Sequence, residues 1–327
     1  MPRVFSGIQP TGELHLGNYL GAVQRWVHDQ HDFDSLYCVV DLHAITLPQD
    51  PAVLRAKTRE VVTLLVAAGL DPAVCTLFVQ SQVSEHAQLA WLMECTAAFG
   101  ELSRMVQFKE KRDRADFISA ALFTYPALQA ADILLYDTDR VPVGDDQRQH
   151  IELARDVAER FNARYGQTFV VPEHAIPPIG ARIMDLQEPT RKMSKSVDSP
   201  QGTLLVLDPP DVITKKIKRA VTDNDGDVHY DPVGKPGVAN LLSILAAAAG
   251  GDPAALADRY DQYGPLKADT AEAVVEALRP LQERFADLSA DPDEVDRIIA
   301  TGATKAQAMA APTLARAQTA IGLLPRA

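Results

Sequence analysis

Apolar residues follow two different periods along the first half of the chain. Short β-branched or aromatic runs predict strands, and longer segments with apolar residues at three- and four-residue spacing predict helices. The predicted strands are residues 3–8, 36–40, 76–80 and 141–143, and the predicted helices are 18–30, 51–68, 85–98 and 119–136. Strands that alternate with helices are typical of a parallel sheet covered by helices. We therefore expect a doubly wound α/β domain.

The pattern changes after about Ile183. Proline, lysine and serine crowd residues 189–200, one strand-like run follows at 203–207, and the rest of the chain is mainly helical. Residues 270–288 have helical spacing, although Pro280 predicts a kink or a new helix start there. We expect an α/β domain at 1–185, a loop and a smaller all-helical domain at 186–290, and a C-terminal helical segment at 291–327 that packs back on the first domain.

Length and composition agree with one large and one smaller domain. The chain has 327 residues, 46% of them hydrophobic, which is enough for a substantial core. No export signal is visible, and the longest apolar stretch, 238–249, is shorter than the ~18 residues that a bilayer span needs. Cys38, Cys75 and Cys95 form no C-x-x-C pair, so we expect buried thiols and no zinc site. These features predict a soluble cytoplasmic protein.

The net charge limits the kinds of partner. A formal charge of -12 argues against nonspecific nucleic-acid binding, which requires clustered lysine and arginine. Any RNA contact must therefore be local. The dense basic cluster is Lys215, Lys216, Lys218 and Arg219. Such a cluster fits a solvated helix face as well as it fits an RNA-binding patch.

Two segments are typical of nucleotide chemistry. QPTGELHLGNY, residues 9–19, follows the first predicted strand and leads into a helix, where free amides and the helix dipole favour phosphate. RKMSKS, residues 191–196, lies between the two predicted domains and carries two lysines three residues apart. A loop of this kind can place positive charge on a departing pyrophosphate. Each segment alone is a weak signal, but their combination in this order favours a nucleotide site.

The segments HLGN (15–18) and KMSKS (192–196) together resemble those of class I aminoacyl-tRNA synthetases. QFKEK at 107–111, ALQAADILLYDTD at 127–139 and VPVGDDQRQHIELARD at 141–156 narrow the resemblance to the bacterial tryptophanyl subfamily, along essentially the whole chain. Asn18 stands where many class I relatives have a second histidine, and the tryptophan-specific subfamily commonly has this asparagine. The resemblance implies a Rossmann-like catalytic domain that forms tryptophanyl-adenylate from ATP and L-tryptophan, releases pyrophosphate, and transfers tryptophan to tRNA(Trp).

The resemblance also implies partners and an ATP site. It implies a homodimer, for which the apolar residues 91–99 are interface candidates, and a helical domain that binds the tRNA anticodon. The implied catalytic residues are Lys192, Ser194, Lys195 and Lys111. The implied ATP-binding residues are Gln9, Pro10, Thr11, Gly17, Asn18, Gly144, Asp145, Asp146, Ile183, Lys192, Met193, Ser194, Lys195 and Ser196. Mg²⁺ should accompany ATP and bridge its phosphates, with no protein cage of its own.

The amino acid site is predicted around one helix face. Tyr125, Gln129, Asp132 and Tyr136 follow at steps of four, three and four residues. A buried indole N–H needs an acceptor, and a carboxylate is the strongest, so we expect Asp132 to be a buried carboxylate left unpaired without that donor. The resemblance implies the other tryptophan-binding residues, namely Phe5, Gly7, Val141 and Val143 as walls, Tyr125 and Gln147 at the α-amino group, and His43 at the carboxylate.

Three other functions remain open at this point. A tyrosyl-tRNA synthetase shares the sheet and the helical domain, and an amino-acid activation assay separates the two. A small-molecule nucleotidyltransferase also uses an H-x-G-H-like turn, but the complete KMSKS segment and the long helical region argue against it. A noncatalytic paralogue could sense tryptophan or tRNA, and the intact Lys192, Lys195 and Asp132 argue against that function.

Overall fold

A parallel sheet forms the centre of the first half of the chain. The computed structural model describes residues 1–105, 118–142, 144, 147–175, 182–194 and 200–324. The strands are β1 (Arg3–Ile8), β2 (Asp34–Val39), β3 (Thr76–Val79), β4 (Arg140–Pro142) and β5 (Glu173–Ala175). Their order is β3-β2-β1-β4-β5, and each pair is parallel. The doubly wound fold is thus confirmed, and its strand order reverses between β1 and β4, where such sheets bind ligands.

Helices cover the sheet and form most of the second half. In chain order they are α1 (Leu16–Asn18), α2 (Gln24–Asp29), α3 (Asp41–Ala44), α4 (Pro51–Ala68), α5 (Glu85–Thr96), α6 (Phe99–Ser103), α7 (Ala120–Leu134), α8 (Arg148–Tyr165), α9 (Pro210–Lys218), α10 (Pro236–Ala249), α11 (Pro253–Ala257), α12 (Tyr263–Ser289) and α13 (Pro292–Ala320). A π-helical turn, Tyr19–Val23, joins α1 to α2, and a 3₁₀ turn, Gln80–Gln82, follows β3.

The structure differs from the sequence prediction in several places. The helix α12 continues through Pro280, so no new helix begins there. The strand-like run at 203–207 forms an isolated bridge between Leu205 and His15 and no strand of the sheet. The strand β5 was not predicted, because three residues with a charged and a polar side chain give no apolar pattern.

The helix α4 shows why some boundaries are readable from the sequence. Asp50 caps its start by accepting hydrogen bonds from the amides of Ala52 and Val53, both at 2.9 Å, and Pro51 occupies the first turn. Gly69 ends the helix in the left-handed region at φ 118°, which glycine adopts without strain. Local capping therefore fixes both ends where the sequence predicts them.

The strand β2 divides the hydrophobic core into two clusters, since its successive side chains point to opposite faces of the sheet. Leu36 and Cys38 belong to the cluster on one face, whereas Tyr37 and Val39 belong to the cluster on the other. The Tyr37 cluster continues into the helical region and includes Ile213 of α9, Leu241 of α10 and Leu278 of α12. The helical region therefore shares a core with one face of the sheet.

The C-terminal helix α13 lies against the edge strand β3. At Gly302, an added Cβ would lie 1.8 Å from the carbonyl oxygen of Leu77, so no larger residue fits this crossing. Val295 and Ile299 of α13 join the Tyr37 cluster, while Ala306 and Leu314 join the opposite one. The helix thus covers an edge that would otherwise expose unpaired backbone groups.

The thiols differ in their surroundings. Cys38 and Cys75 are buried, and burial raises the pKa of the Cys75 thiol to about 11. Cys95 is exposed, which corrects the expectation that all three are buried. Within the described ranges, the helices are all too short or too polar to cross a membrane.

Candidate active site

The turn after β1 and the chain that follows the lysine loop are joined by main-chain hydrogen bonds. The amide of Leu16 donates to the carbonyl of Leu204 at 2.7 Å, and the amide of Val206 donates to the carbonyl of Leu14 at 3.0 Å. These contacts bring the two nucleotide motifs, far apart in sequence, to one place. We call residues 9–18, 182–194 and 200–206 the turn–loop assembly.

Within the turn, His15 caps the start of α1. Its Nδ1 accepts a hydrogen bond from the amide of Asn18 at 3.2 Å. A Cβ on Gly17 would lie 3.1 Å from His15 Nδ1 and 3.6 Å from the Cβ of Ile183, so glycine allows this close approach. The side-chain oxygen of Asn18 is buried and accepts no hydrogen bond from the residues that the structure describes. The turn therefore presents an acceptor at the start of the helix.

The stem of the lysine loop is held from two sides. Met193 donates its amide hydrogen to the carbonyl of Ile183 at 3.1 Å, and both side chains are buried. The amide of Asn240 on α10 binds both the N–H and the C=O of Met184, each at 2.9 Å. At the far end, the Thr203 hydroxyl donates to the carbonyl of Ser194 at 3.3 Å. The stem is thus fixed to α10 at Met184, and its Ser194 is joined to Thr203 at the other end of the loop.

The predicted ATP and catalytic residues, together with Val143 of the amino acid site, divide into three groups. Gln9, Pro10, Thr11, Gly17, Asn18, Ile183, Lys192, Met193 and Ser194 belong to the turn–loop assembly, and Lys192 is exposed. Gly144 precedes α8 and accepts a hydrogen bond from the amide of Gln147 at 3.0 Å. Lys111, Val143, Asp145, Asp146, Lys195 and Ser196 lie outside the described residues.

A cavity of about 340 Å³ lies at the carboxyl ends of β1 and β4, beside the turn. The structure places seven of the predicted tryptophan-binding residues in its lining: Phe5, Gly7, His43, Tyr125, Asp132, Val141 and Gln147. Gln9 of the turn lines the same cavity, so the ATP and amino acid predictions meet there. The cavity occupies the crevice that the strand order creates.

Asp132 of α7 is 1% exposed and is already hydrogen-bonded through both carboxylate oxygens. Gln80 Nε2 donates to Oδ1 at 2.7 Å and His86 Nδ1 contacts the same oxygen at 2.6 Å, while His43 Nε2 lies 2.8 Å from Oδ2. The expectation of an unpaired carboxylate is therefore wrong. It failed because the three partners come from other elements of the fold and leave no local sequence signal.

The surroundings of Asp132 keep it ionised. Burial alone would raise its pKa, but the hydrogen bonds from His43 and His86 outweigh burial and lower the pKa far below its ordinary value. A carboxylate has about four acceptor positions, and three are taken. One position on Oδ2 remains for a further donor.

Tyr125 and His43 contribute polar groups to the cavity wall. Tyr125 contacts His150 Nε2 of α8 through its hydroxyl at 2.8 Å, and burial raises its pKa. The resemblance implies His43 at the substrate carboxylate, whereas in the structure its Nε2 contacts Asp132. That nitrogen is thus occupied in this state.

Several residues that line the cavity were not predicted from the sequence. They are Ser6, Trp26, Val40, Thr46, Ile133 and Pro142, and Gln129 was named only for its helix face. Ser6, Ile133 and Pro142 are sequence neighbours of predicted residues, and that adjacency is the one signal that could have found them. The others come from separate elements and are brought in by the tertiary fold.

One predicted RNA-binding residue is corrected. Lys216 is 8% exposed, and its Nζ donates to Asp208 Oδ2 at 2.7 Å and to the carbonyl of Thr203 at 2.8 Å. It therefore supports the end of the lysine loop and is not available to RNA. Lys215, Lys218 and Arg219 are exposed.

The match to a protein family agrees with this arrangement of motifs. Residues 1–279 match the family described as tRNA synthetases class I (W and Y). The chain belongs to this family of class I aminoacyl-tRNA synthetases.

Individual relatives narrow the family. Tryptophan–tRNA ligase 1 of Streptomyces coelicolor is 59% identical over 330 residues, which cover 99% of this chain and 98% of that protein. The tryptophanyl-tRNA synthetase of Mycoplasma pneumoniae has a TM-score of 0.91 at 37% identity and covers 99% and 98% of the two chains. The Campylobacter jejuni enzyme, solved with ADP and tryptophan, has a TM-score of 0.85 at 32% identity, with 98% and 100% covered. The predicted resemblance to the bacterial tryptophanyl subfamily is confirmed.

Proposed function

We propose that the cavity at β1 and β4 holds tryptophan and that the turn–loop assembly holds ATP. The protein is a tryptophan–tRNA ligase: it forms tryptophanyl-adenylate and pyrophosphate from ATP and L-tryptophan, then transfers tryptophan to the 3′ end of tRNA(Trp). One feature supports the amino acid site most directly, namely a buried, ionised carboxylate with one acceptor position left at an apolar cavity. An indole has an apolar ring and one N–H donor, which match that site.

The first chemical step needs alignment more than a protein nucleophile. The carboxylate of tryptophan attacks the α-phosphorus of ATP, an α-phosphorus–oxygen bond breaks, and pyrophosphate leaves with its electron pair. Gln9 lines the cavity and belongs to the turn–loop assembly, so the two substrates meet beside it. Lys192, Lys195 and Lys111 neutralise the charge that develops on pyrophosphate, and Mg²⁺ arrives with ATP as part of the substrate.

Each wall of the cavity has a role in holding tryptophan. Phe5 and Val141 are 4% and 3% exposed and supply apolar surface for the ring. Tyr125, braced by His150, and Gln147 orient the α-amino group at the open side. Asp132 accepts the indole N–H through Oδ2. Gly144, Asp145 and Asp146 hold the ribose of ATP.

The assay that tests this function is exchange of pyrophosphate into ATP. We expect exchange to depend on tryptophan, and phenylalanine, which has no N–H donor, to be poorer by about 10⁴-fold in kcat/KM. Tyrosine has a donor, but its shorter ring system misplaces it. Exchange supported best by tyrosine would identify a tyrosine enzyme, and a folded protein without any exchange would identify a noncatalytic paralogue.

The helical region is the proposed tRNA-binding part. An open groove of about 700 Å³ between α9 and α12 is lined by Lys215, Lys218 and Arg219. Phosphate contacts supply most of the nonspecific affinity for RNA, so an acidic protein must concentrate its cations in such a place. We assign residues 1–185 to catalysis, 186–290 to the lysine loop and the anticodon, and 291–327 to support of the catalytic domain.

Reversing the charge of the groove should separate the two half-reactions. The triple variant Lys215→Glu, Lys218→Glu and Arg219→Glu should impair aminoacylation and leave pyrophosphate exchange unchanged. The salt dependence of tRNA binding should also become less steep, by about one unit of log–log slope for each lost phosphate contact. The matched control keeps the charges, with Lys215→Arg, Lys218→Arg and Arg219→Lys, and should retain aminoacylation. An equal loss in both assays would contradict a role in tRNA binding.

The role of the family also implies a cellular location and an oligomeric state. The protein acts in the cytoplasm as a homodimer. Trp91 and Phe99 are large apolar side chains that are 65% and 75% exposed, and Trp91 lines a groove of about 290 Å³. Exposed apolar surface of this kind is typical of a protein interface, so we assign the dimer contact to it.

A further inference from the structure

Three side chains fix Asp132 without touching the cavity. Gln80 and His86 are 0% exposed and Tyr136 is 1% exposed, and the cavity lining in the described chain includes none of them. Gln80 lies in the 3₁₀ turn after β3, His86 lies in α5, and Tyr136 is the second residue after the end of α7. A polar group buried this deeply costs free energy unless its hydrogen bonds are satisfied, so this cluster has a defined arrangement.

Each polar atom of the cluster has a determined role. Gln80 Oε1 accepts from the amide of Leu42 at 3.1 Å, which leaves its Nε2 to donate to Asp132 Oδ1. An ionised carboxylate only accepts, so His86 Nδ1 carries a proton. The other ring nitrogen, His86 Nε2, lies 2.7 Å from the Tyr136 hydroxyl. A hydrogen-bond chain therefore runs from Tyr136 through His86 to Asp132.

Gln80 and His86 together fill both acceptor positions of Oδ1. His43 takes one position of Oδ2, and the last position of the carboxylate is the one that remains at the cavity. Resting on the proposed function of Asp132, we infer that Gln80, His86 and Tyr136 are positioning residues for tryptophan selection, which hold Oδ1 so that Oδ2 meets the indole N–H.

Aromatic contacts connect this cluster to the part of the cavity that holds the indole ring in the proposed function. The ring of Tyr136 stacks on Phe5 with centroids 5.8 Å apart and planes at 12°, and Phe5 lines the cavity. Phe78 lies against both rings, 5.6 Å from Tyr136 and 5.8 Å from His86. The same cluster therefore determines the direction of Asp132 Oδ2 and supports Phe5, which forms one wall of the cavity.

The measurement must report the hydrogen bond that the indole N–H donates to Asp132. Tryptophan is compared with 3-(benzothiophen-3-yl)alanine, in which sulfur replaces the indole N–H and the ring shape is kept. In pyrophosphate exchange, kcat/KM for tryptophan is divided by kcat/KM for the sulfur analogue. This ratio measures the contribution of the N–H donor. A general loss of folding or of ATP binding lowers both values and leaves this ratio unchanged.

We expect His86→Leu to lower the ratio by about 10-fold, because a hydrogen bond to the carboxylate is lost. His86→Asn places an amide donor where Nδ1 lies and should restore most of the ratio. Tyr136→Phe removes only the hydroxyl and should lower the ratio by about 3-fold. Gln80→Leu should act like His86→Leu. If His86→Leu does not fold, Tyr136→Phe decides the question, since it keeps the ring packing.

Phe78→Leu is the matched packing control, because it loosens the same cluster without a polar contact to Asp132. It should lower the free energy of unfolding and leave the ratio unchanged. Asp132→Asn separates this inference from the proposed function. A ratio lowered by Asp132→Asn but unchanged by Gln80→Leu and Tyr136→Phe would overturn the positioning role alone. A ratio unchanged even by Asp132→Asn would remove the indole contact on which the inference rests.

Discussion

Replacing Lys195 with alanine is expected to lower the rate of tryptophan activation by about 100- to 1000-fold, the usual cost of losing one preorganised group that stabilises a developing charge. In the proposed role its ammonium group acts mainly as pyrophosphate leaves, so the KM for tryptophan should change little. The measurement is the single-turnover rate of adenylate formation, together with tryptophan binding. An activation rate within a few-fold of the unchanged protein would exclude Lys195 from the mechanism.

The control for Lys195→Ala is Arg191→Ala. Arg191 is a cation in the same loop, but its guanidinium is exposed and pairs with Glu188 at 2.8 Å. Exposed pairs of this kind contribute little to stability, so its loss should change the activation rate by less than about 2-fold. A large effect of Arg191→Ala would mean that the loss in Lys195→Ala reflects the loop charge in general.

Asp132→Ala should weaken tryptophan activation by about 1.5 to 3 kcal/mol, the range for a hydrogen bond to a charged group, and should narrow the margin over phenylalanine. The structure adds a second consequence. Removal of the carboxylate leaves the donors of Gln80, His86 and His43 without their acceptor, so the free energy of unfolding should also fall. The measurements are kcat/KM for both amino acids in pyrophosphate exchange and a denaturant titration.

Asp132→Asn separates charge from shape. The amide keeps one acceptor oxygen and the size of the side chain but loses the negative charge, so an effect between those of the unchanged protein and Asp132→Ala is expected. Selectivity for tryptophan over phenylalanine that is the same in both variants would show that Asp132 does not read the indole. The assignment of the cavity would then have to change.

The strands and the long helices could be predicted because their signals are local. Arg3–Ile8 and Pro51–Ala68 have the predicted bounds, since the apolar period and the capping residues lie within each segment. Each of the two nucleotide motifs is also one uninterrupted segment of the chain, so the sequence shows the residues of both motifs and the order in which they follow. Their meeting through Leu16 and Leu204 depends on the folded sheet and could not be read from either motif.

The sequence by itself determined the α/β order, the two motifs and the position of Asp132 in an apolar helix. Only the tertiary structure decided what Asp132 contacts, because Gln80, His86 and His43 lie 52, 46 and 89 residues away along the chain. It also decided that Lys216 is buried against Asp208 and not offered to RNA. Periodicity records which face of an element is apolar, whereas the pairing of polar groups depends on which elements the fold brings together.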